Sequence, residues 1–133
     1  MAVNLVKQSI DLGIVTNNSE AMAAFYGDVL GFEERDPLAI PGMRIRQFAA
    51  GDSILKLVSM KNPPKGECAP GGLAGATGMR YVTIAVSNLA EIVASCEAAD
   101  ATVAVPIAEI APGVRIAMIE DPDGNWLEFV QLS

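Results

Sequence analysis

Polar and apolar positions alternate through residues 9–15, SIDLGIV, the pattern of a strand with one covered face. Asn18-Ser19-Glu20 then opens a helical stretch, AMAAFYGDVLGF, whose apolar residues recur every three or four positions, and Gly31 is placed to stop it. After the turn pair Pro41-Gly42 come two strand-like runs, MRIRQFA and SILKLVSM, joined through Ala50-Gly51-Asp52. The same order then recurs. RYVTIAV alternates from Arg80, Asn88 opens the helical LAEIVASCEAAD, and GVRIAMIE and NWLEFVQ are joined by the turn Asp121-Pro122-Asp123-Gly124. PGMRIRQF (41–48) aligns with PGVRIAMI (112–119), and Asn18 with Asn88, an internal repeat of roughly 70 residues. Between the copies, KNPPKGECAPGGLAGATGM (61–79) is rich in Pro and Gly and reads as a linker and lid-like loop.

This pattern predicts one mixed sheet per module with helices on the outer face. Two such curved sheets would enclose a central cavity. In the first strand the alternation sends Ile10, Leu12 and Ile14 toward the helices, and Asp11, Gly13 and Val15 toward the cavity. Phe25 falls on the helix as a core residue and Tyr26 as a partly core one. The acids of the last turn serve as solvated or capping groups.

Composition narrows the chemistry. Half the chain is hydrophobic, but it has only four Phe, two Tyr and one Trp, so aliphatic residues must fill the core. The net charge of −7 argues against a nucleic-acid surface, which needs clustered cations. No apolar run is long enough to span a membrane, and the opening MAVNLVKQSIDLGIV has no signal-peptide pattern, so a cytoplasmic protein is expected. Cys68 and Cys96 form no CxxC pair or disulfide framework. There is no histidine, which excludes His-dependent triads, His general bases and His metal ligands.

Phe25-Tyr26 followed by Leu30-Gly31-Phe32, and Asp121-Pro122-Asp123-Gly124-Asn125 followed by Leu127-Glu128-Phe129, resemble the vicinal oxygen chelate (glyoxalase/bleomycin-resistance/extradiol dioxygenase) superfamily over nearly the whole chain. The resemblance implies an α+β fold of two tandem βαβββ modules, about 8–60 and 80–133, in a single domain that forms a curved mixed sheet around one cavity. It also implies four cavity-facing positions where the family commonly places His, Glu, His and Glu on a metal. Here they fall on Asp11, Lys56, Tyr81 and Glu128, and only Glu128 keeps the family identity. An ammonium at one corner makes a poor divalent site, and two carboxylates alone would hold hydrated Mg²⁺ only weakly. No metal and no cofactor are expected.

Two functions remain open. One is a metal-independent isomerase, epimerase or lyase acting next to a carbonyl. Lys56, held between carboxylates, would stabilise an oxyanion, Glu128 or Asp11 would move the proton, and Tyr81 would donate a hydrogen bond. The other is a non-catalytic protein that sequesters a ligand, as the family's antibiotic-resistance members do. The scarcity of aromatic stacking surface favours the enzyme. In a third case the Lys56 cluster is purely structural and there is no ligand. Trp126, two residues before Glu128, would wall the pocket or else sit in the core, and Arg46 and Arg115 would bind an anionic small-molecule ligand with their planar forks or else face solvent on edge strands. A homodimer is the expected assembly. The sequence leaves open whether the modules close within one chain or swap across the dimer.

Overall fold

Hydrogen bonding turns the two sequence repeats into two sheets of the same topology. The computed structural model describes residues 1–133, which divide into two compact units, Met1–Pro64 and Lys65–Ser133. The first unit contains β1 (Leu12–Val15), helix α1 (Ser19–Ala23) continuing as a π-helical segment (Ala24–Val29), β2 (Glu33–Ile40), β3 (Met43–Ala50) and β4 (Ser53–Met60). Its strands lie in the order β1-β4-β3-β2, with β1 parallel to β4 and the others antiparallel. The second unit contains the short α2 (Gly72–Gly75), β5 (Tyr81–Ala85), α3 (Leu89–Ala98), β6 (Val103–Ala111), β7 (Val114–Glu120) and β8 (Trp126–Leu132). Its order is β5-β8-β7-β6, with the same single parallel pair, β5 with β8. The sequence repeat is therefore a repeat of βαβββ topology, and the fold class is α+β.

A parallel pair needs a long crossover, and in each unit the helix carries the chain to the far edge of the sheet, from which two antiparallel strands lead back beside the first. The register separates the two faces of each sheet. In the first, Leu12 pairs with Leu55 and Ile14 with Leu57 on the helix side, where Phe48 also lies opposite Leu55. Leu57 is fully buried and Phe48, Met22 and Tyr26 nearly so. Phe25 packs edge-to-face on Tyr26 with ring centroids 5.0 Å apart. In the second unit Leu127, Ile119 and Phe129 do the same work beside Leu89, Val93 and Cys96 of α3. Ile10 departs from the expected face. It precedes β1, which starts at Leu12, and is 86% exposed, because no partner strand carries the pleat back that far.

Gly31 sits in the left-handed region at φ +78°, as the stop signal requires. The start signals work differently from the expectation. Asn18 and Asn88 occupy the positions before their helices, but neither side chain caps one. The amide of Leu89 is capped instead by Gln131 of β8, at 2.9 Å.

Strands β2 and β6 were not visible as strands in the sequence. Every residue of β2, EERDPLAI, is exposed, so no face imposes an alternation. Each of these outer strands carries a proline where its register breaks: Pro37 between Arg35 and Leu38, and Pro106 between Val105 and Ala108. A proline has no N–H to give a ladder, and an edge bulge tolerates that. Gln47 of β3 satisfies the bulged strand by donating to the Asp36 carbonyl at 2.9 Å.

Candidate functional site

Each sheet has a face free of the helix that follows its first strand, and most of the predicted site residues lie there. In the first unit, Gly13, Lys56 and Gln47 are neighbours across β1, β4 and β3. The next row is apolar: Val15, Val58, Ile45 and Leu38. Lys56 is half-buried, and a Cβ at Gly13 would meet nothing within 4 Å, so the lysine stands beside a gap. It forms no ion pair.

Within the first unit Asp11 and Lys56 form no ion pair with each other. Asp11 bonds Lys7 Nζ at 2.7 Å and accepts the Ile54 amide at 2.8 Å. The Lys7 bond, then the Ile54 amide, hold its carboxyl below the usual range, and Lys56 adds a smaller electrostatic share. Lys7, four residues upstream, is the cation that pairs with Asp11.

In the second unit, one helix-free row runs Thr83, Glu128, Met118 and Val105, and the row beside it runs Tyr81, Trp126 and Glu120. The Thr83 hydroxyl donates to Glu128 Oε1 at 2.8 Å, which fixes one oxygen of that carboxylate. Trp126 Nε1 donates to Glu120 Oε1 at 2.9 Å. The Trp126 ring is not a bare wall, because Gly72 lies directly against it. Tyr81 is half exposed.

Arg46 and Arg115 do not lie on these faces. Arg46 pairs with Leu57 across the ladder and so points to the helix side, where Nε and Nη2 clasp Glu34 at 2.7 and 2.9 Å and Nη1 reaches Glu20 at 3.3 Å. Hydrogen bonding to Glu34 is the main cause that raises the Arg46 pKa, and the same contact holds Glu34 below its ordinary value. Arg115 shares its face with Gln131, which caps α3. Met43, Ile45 and Gln47 are the more apolar set of MRIRQF, yet they do not face the helix. The helix side instead takes Phe48 together with Arg46, whose head finds two acids at the margin while its stem stays with the core. These residues border a cleft of about 290 Å³ on the helix side, walled by Glu20, Gly27, Asp28, Phe32, Glu34 and Arg46.

The family model for the Glyoxalase/Bleomycin resistance protein/Dioxygenase superfamily matches residues 9–129. The chain belongs to that superfamily. A glyoxalase family protein from Bacillus cereus superposes with a TM-score of 0.82 at 16% identity, covering 99% of this chain and 98% of that one. An antibiotic binding protein from a Streptomyces species matches at 0.70 and 22% identity, over 100% of this chain and 99% of that one. A lactoylglutathione lyase from Agrobacterium tumefaciens matches at 0.66 and 24% identity, over 92% of each chain. At these identities the likeness is one of fold. No curated protein matches the chain.

The metal that the superfamily resemblance implies does not fit these residues. No three His, Cys, Asp or Glu side chains come together as a ligand set. Asp11 is committed to Lys7 and Ile54, a cation stands at the Lys56 position, and Glu128 is engaged by Thr83. No helix is long and apolar enough to cross a membrane.

Of the last turn's acids, Asp121 is a capping group. Its Oδ1 accepts the amides of Asp123 and Asn125, each at 2.9 Å, and it is buried. Cys96 is fully buried, and that burial pushes its thiol up to about 11.

Proposed function

We propose that the chain binds a small organic ligand carrying a carboxylate or another oxyanion, with Lys56 as the cation that receives it. The observation behind this is the setting of Lys56: a half-buried lysine without an ion pair, beside open space at the exposed Gly13 and an apolar row of Val15, Val58, Ile45 and Leu38. Ligand sites are mostly apolar with a few placed polar groups, and an ammonium without an ion pair can make a charge-assisted hydrogen bond to a ligand oxyanion. The Streptomyces antibiotic binding protein, of like fold, supports a binding role. A thermal-shift screen of small carboxylates against matched neutral amides tests it. Anions should stabilise the protein, and Lys56→Met should abolish the preference. A preference for neutral apolar ligands, unchanged in Lys56→Met, would refute the reading.

The Thr83–Glu128 bond favours a second reading, acid–base chemistry next to a carbonyl in an isomerase, epimerase or lyase that uses no metal. A carboxylate with one oxygen fixed by a hydroxyl presents its other oxygen in a defined direction, as a general base must. Tyr81, in the adjacent row, would supply a hydrogen bond. The lactoylglutathione lyase of like fold supports this class of reaction. Incorporation of solvent deuterium next to the carbonyl of a bound ligand, lost in Glu128→Gln, is the readout.

A further inference from the structure

The Pro/Gly-rich run of the second unit folds back onto the only tryptophan in the chain. Gly72 is buried at φ +53°, and a Cβ added there would overlap the indole of Trp126. The segment is tied down chiefly by one side chain. Arg80, just before β5, donates from Nε to the Gly72 carbonyl at 2.7 Å and from Nη2 to those of Ala69 and Pro70 at 2.9 and 3.3 Å. At the far end the Cys68 thiol reaches Asn125 Oδ1 at 3.5 Å, a weak contact. Gly75 is equally constrained, since a Cβ there would overlap the Pro70 carbonyl.

No large apolar side chain of this segment anchors it. Leu73 is 58% exposed and Met79 fully so, so closure wins little hydrophobic stabilisation. A cover held by polar contacts with few buried apolar groups belongs to the low-stability end of a fold.

We propose that residues 68–75 are a releasable cover over Trp126, that Arg80 is the latch that positions it, and that Gly72 is the residue that lets it close. The latch would set how much of the Tyr81–Trp126–Glu120 row a ligand can reach, and this part of the inference rests on the ligand-binding reading above. Arg80 is a positioning residue, acting through the cover rather than by touching a ligand.

Because Trp126 is the only tryptophan, its emission and its quenching by acrylamide report the cover directly. The wild-type chain should show a shielded indole. Arg80→Ala and Gly72→Ala should each shift emission to the red and raise the quenching constant about twofold, with far-UV circular dichroism unchanged. Arg80→Lys, which keeps the charge but loses the fork, should fall between them. Wild-type quenching in both Arg80→Ala and Gly72→Ala would overturn the proposal. If one variant does not fold, the other decides. These measurements contain no ligand, so their failure would leave the oxyanion reading standing. A ligand screen without hits would sink that reading and leave the latch.

Discussion

Arg46 grips Glu34 through two hydrogen bonds, Nε to Oε2 at 2.7 Å and Nη2 to Oε1 at 2.9 Å, on the helix side of the first sheet. The pair is partly exposed, so solvent screens much of its strength. Arg46→Ala should therefore cost no more than about 1 kcal/mol of stability and leave the affinity for oxyanion ligands unchanged. Glu34 is depressed in the fold. Its contribution is thus present above the ordinary glutamate value of 4.5 and lost as pH falls through the lower folded value. Acid titrations of the wild type and Arg46→Ala, followed by denaturant midpoint, should converge at low pH.

Lys56→Met should change stability by less than about 1 kcal/mol, because the lysine holds no ion pair whose loss would strand a charge. The same change should weaken an oxyanion ligand about tenfold, close to 1.4 kcal/mol. Urea denaturation and calorimetric titration separate the two effects. A large stability loss with unchanged affinity would make the lysine structural.

Thr83→Val keeps the shape of the residue and removes the bond to Glu128 Oε1. If Glu128 is a base, deuterium incorporation should slow about tenfold in Thr83→Val and vanish in Glu128→Gln. Both variants should melt within a few degrees of the wild type. Equal exchange rates in all three proteins would remove Glu128 from the chemistry.

Cys96 carries a pH signature of its own. Burial pushes its thiol up to about 11, against an ordinary value of 9.0, so the folded state favours the neutral form. The associated stability is whole below pH 9 and is lost as pH rises toward 11, by about 2–3 kcal/mol. In Cys96→Ala this alkaline decline should be correspondingly shallower, at the cost of a small cavity. Parallel slopes for the two proteins between pH 9 and 11 would contradict it.

Elemental analysis of dialysed protein should find no stoichiometric Zn, Ni, Fe or Mn, and a chelator should leave the melting temperature unchanged. The reason is the donor set, with Asp11 and Glu128 already engaged and a cation at Lys56. One retained metal ion per chain would refute it.

The repeat, the helices and the parity of the central strands were legible because covered faces force a period. Lys56, Tyr81 and Glu128, whose positions the family resemblance implied, and Trp126, two residues before Glu128, each lie on the face of their own sheet opposite the core. Asp11 was placed on a plausible face, but its partner was missed: Lys7 lies before the first regular element, where no period exists to read. Arg46 was misplaced because polarity alone does not choose a face when acids from a helix and an edge strand stand ready to meet a guanidinium. The hold of Arg80 on main-chain carbonyls leaves no mark in residue chemistry. The adjacent Gly71-Gly72 was the available hint that something large packs there.

The prolines of β2 and β6 also bear on what happens when many copies meet. An eight- or nine-residue strand at the border of a sheet is a template on which another molecule's backbone can grow into a fibril. Pro37 and Pro106 each remove a donor from that border and bend it at a bulge, while the opposite borders, β1 and β5, are only four and five residues long. Both sheets therefore end at borders poorly suited to intermolecular pairing, and exchanging either proline for a strand-forming residue would lower the concentration at which the protein aggregates.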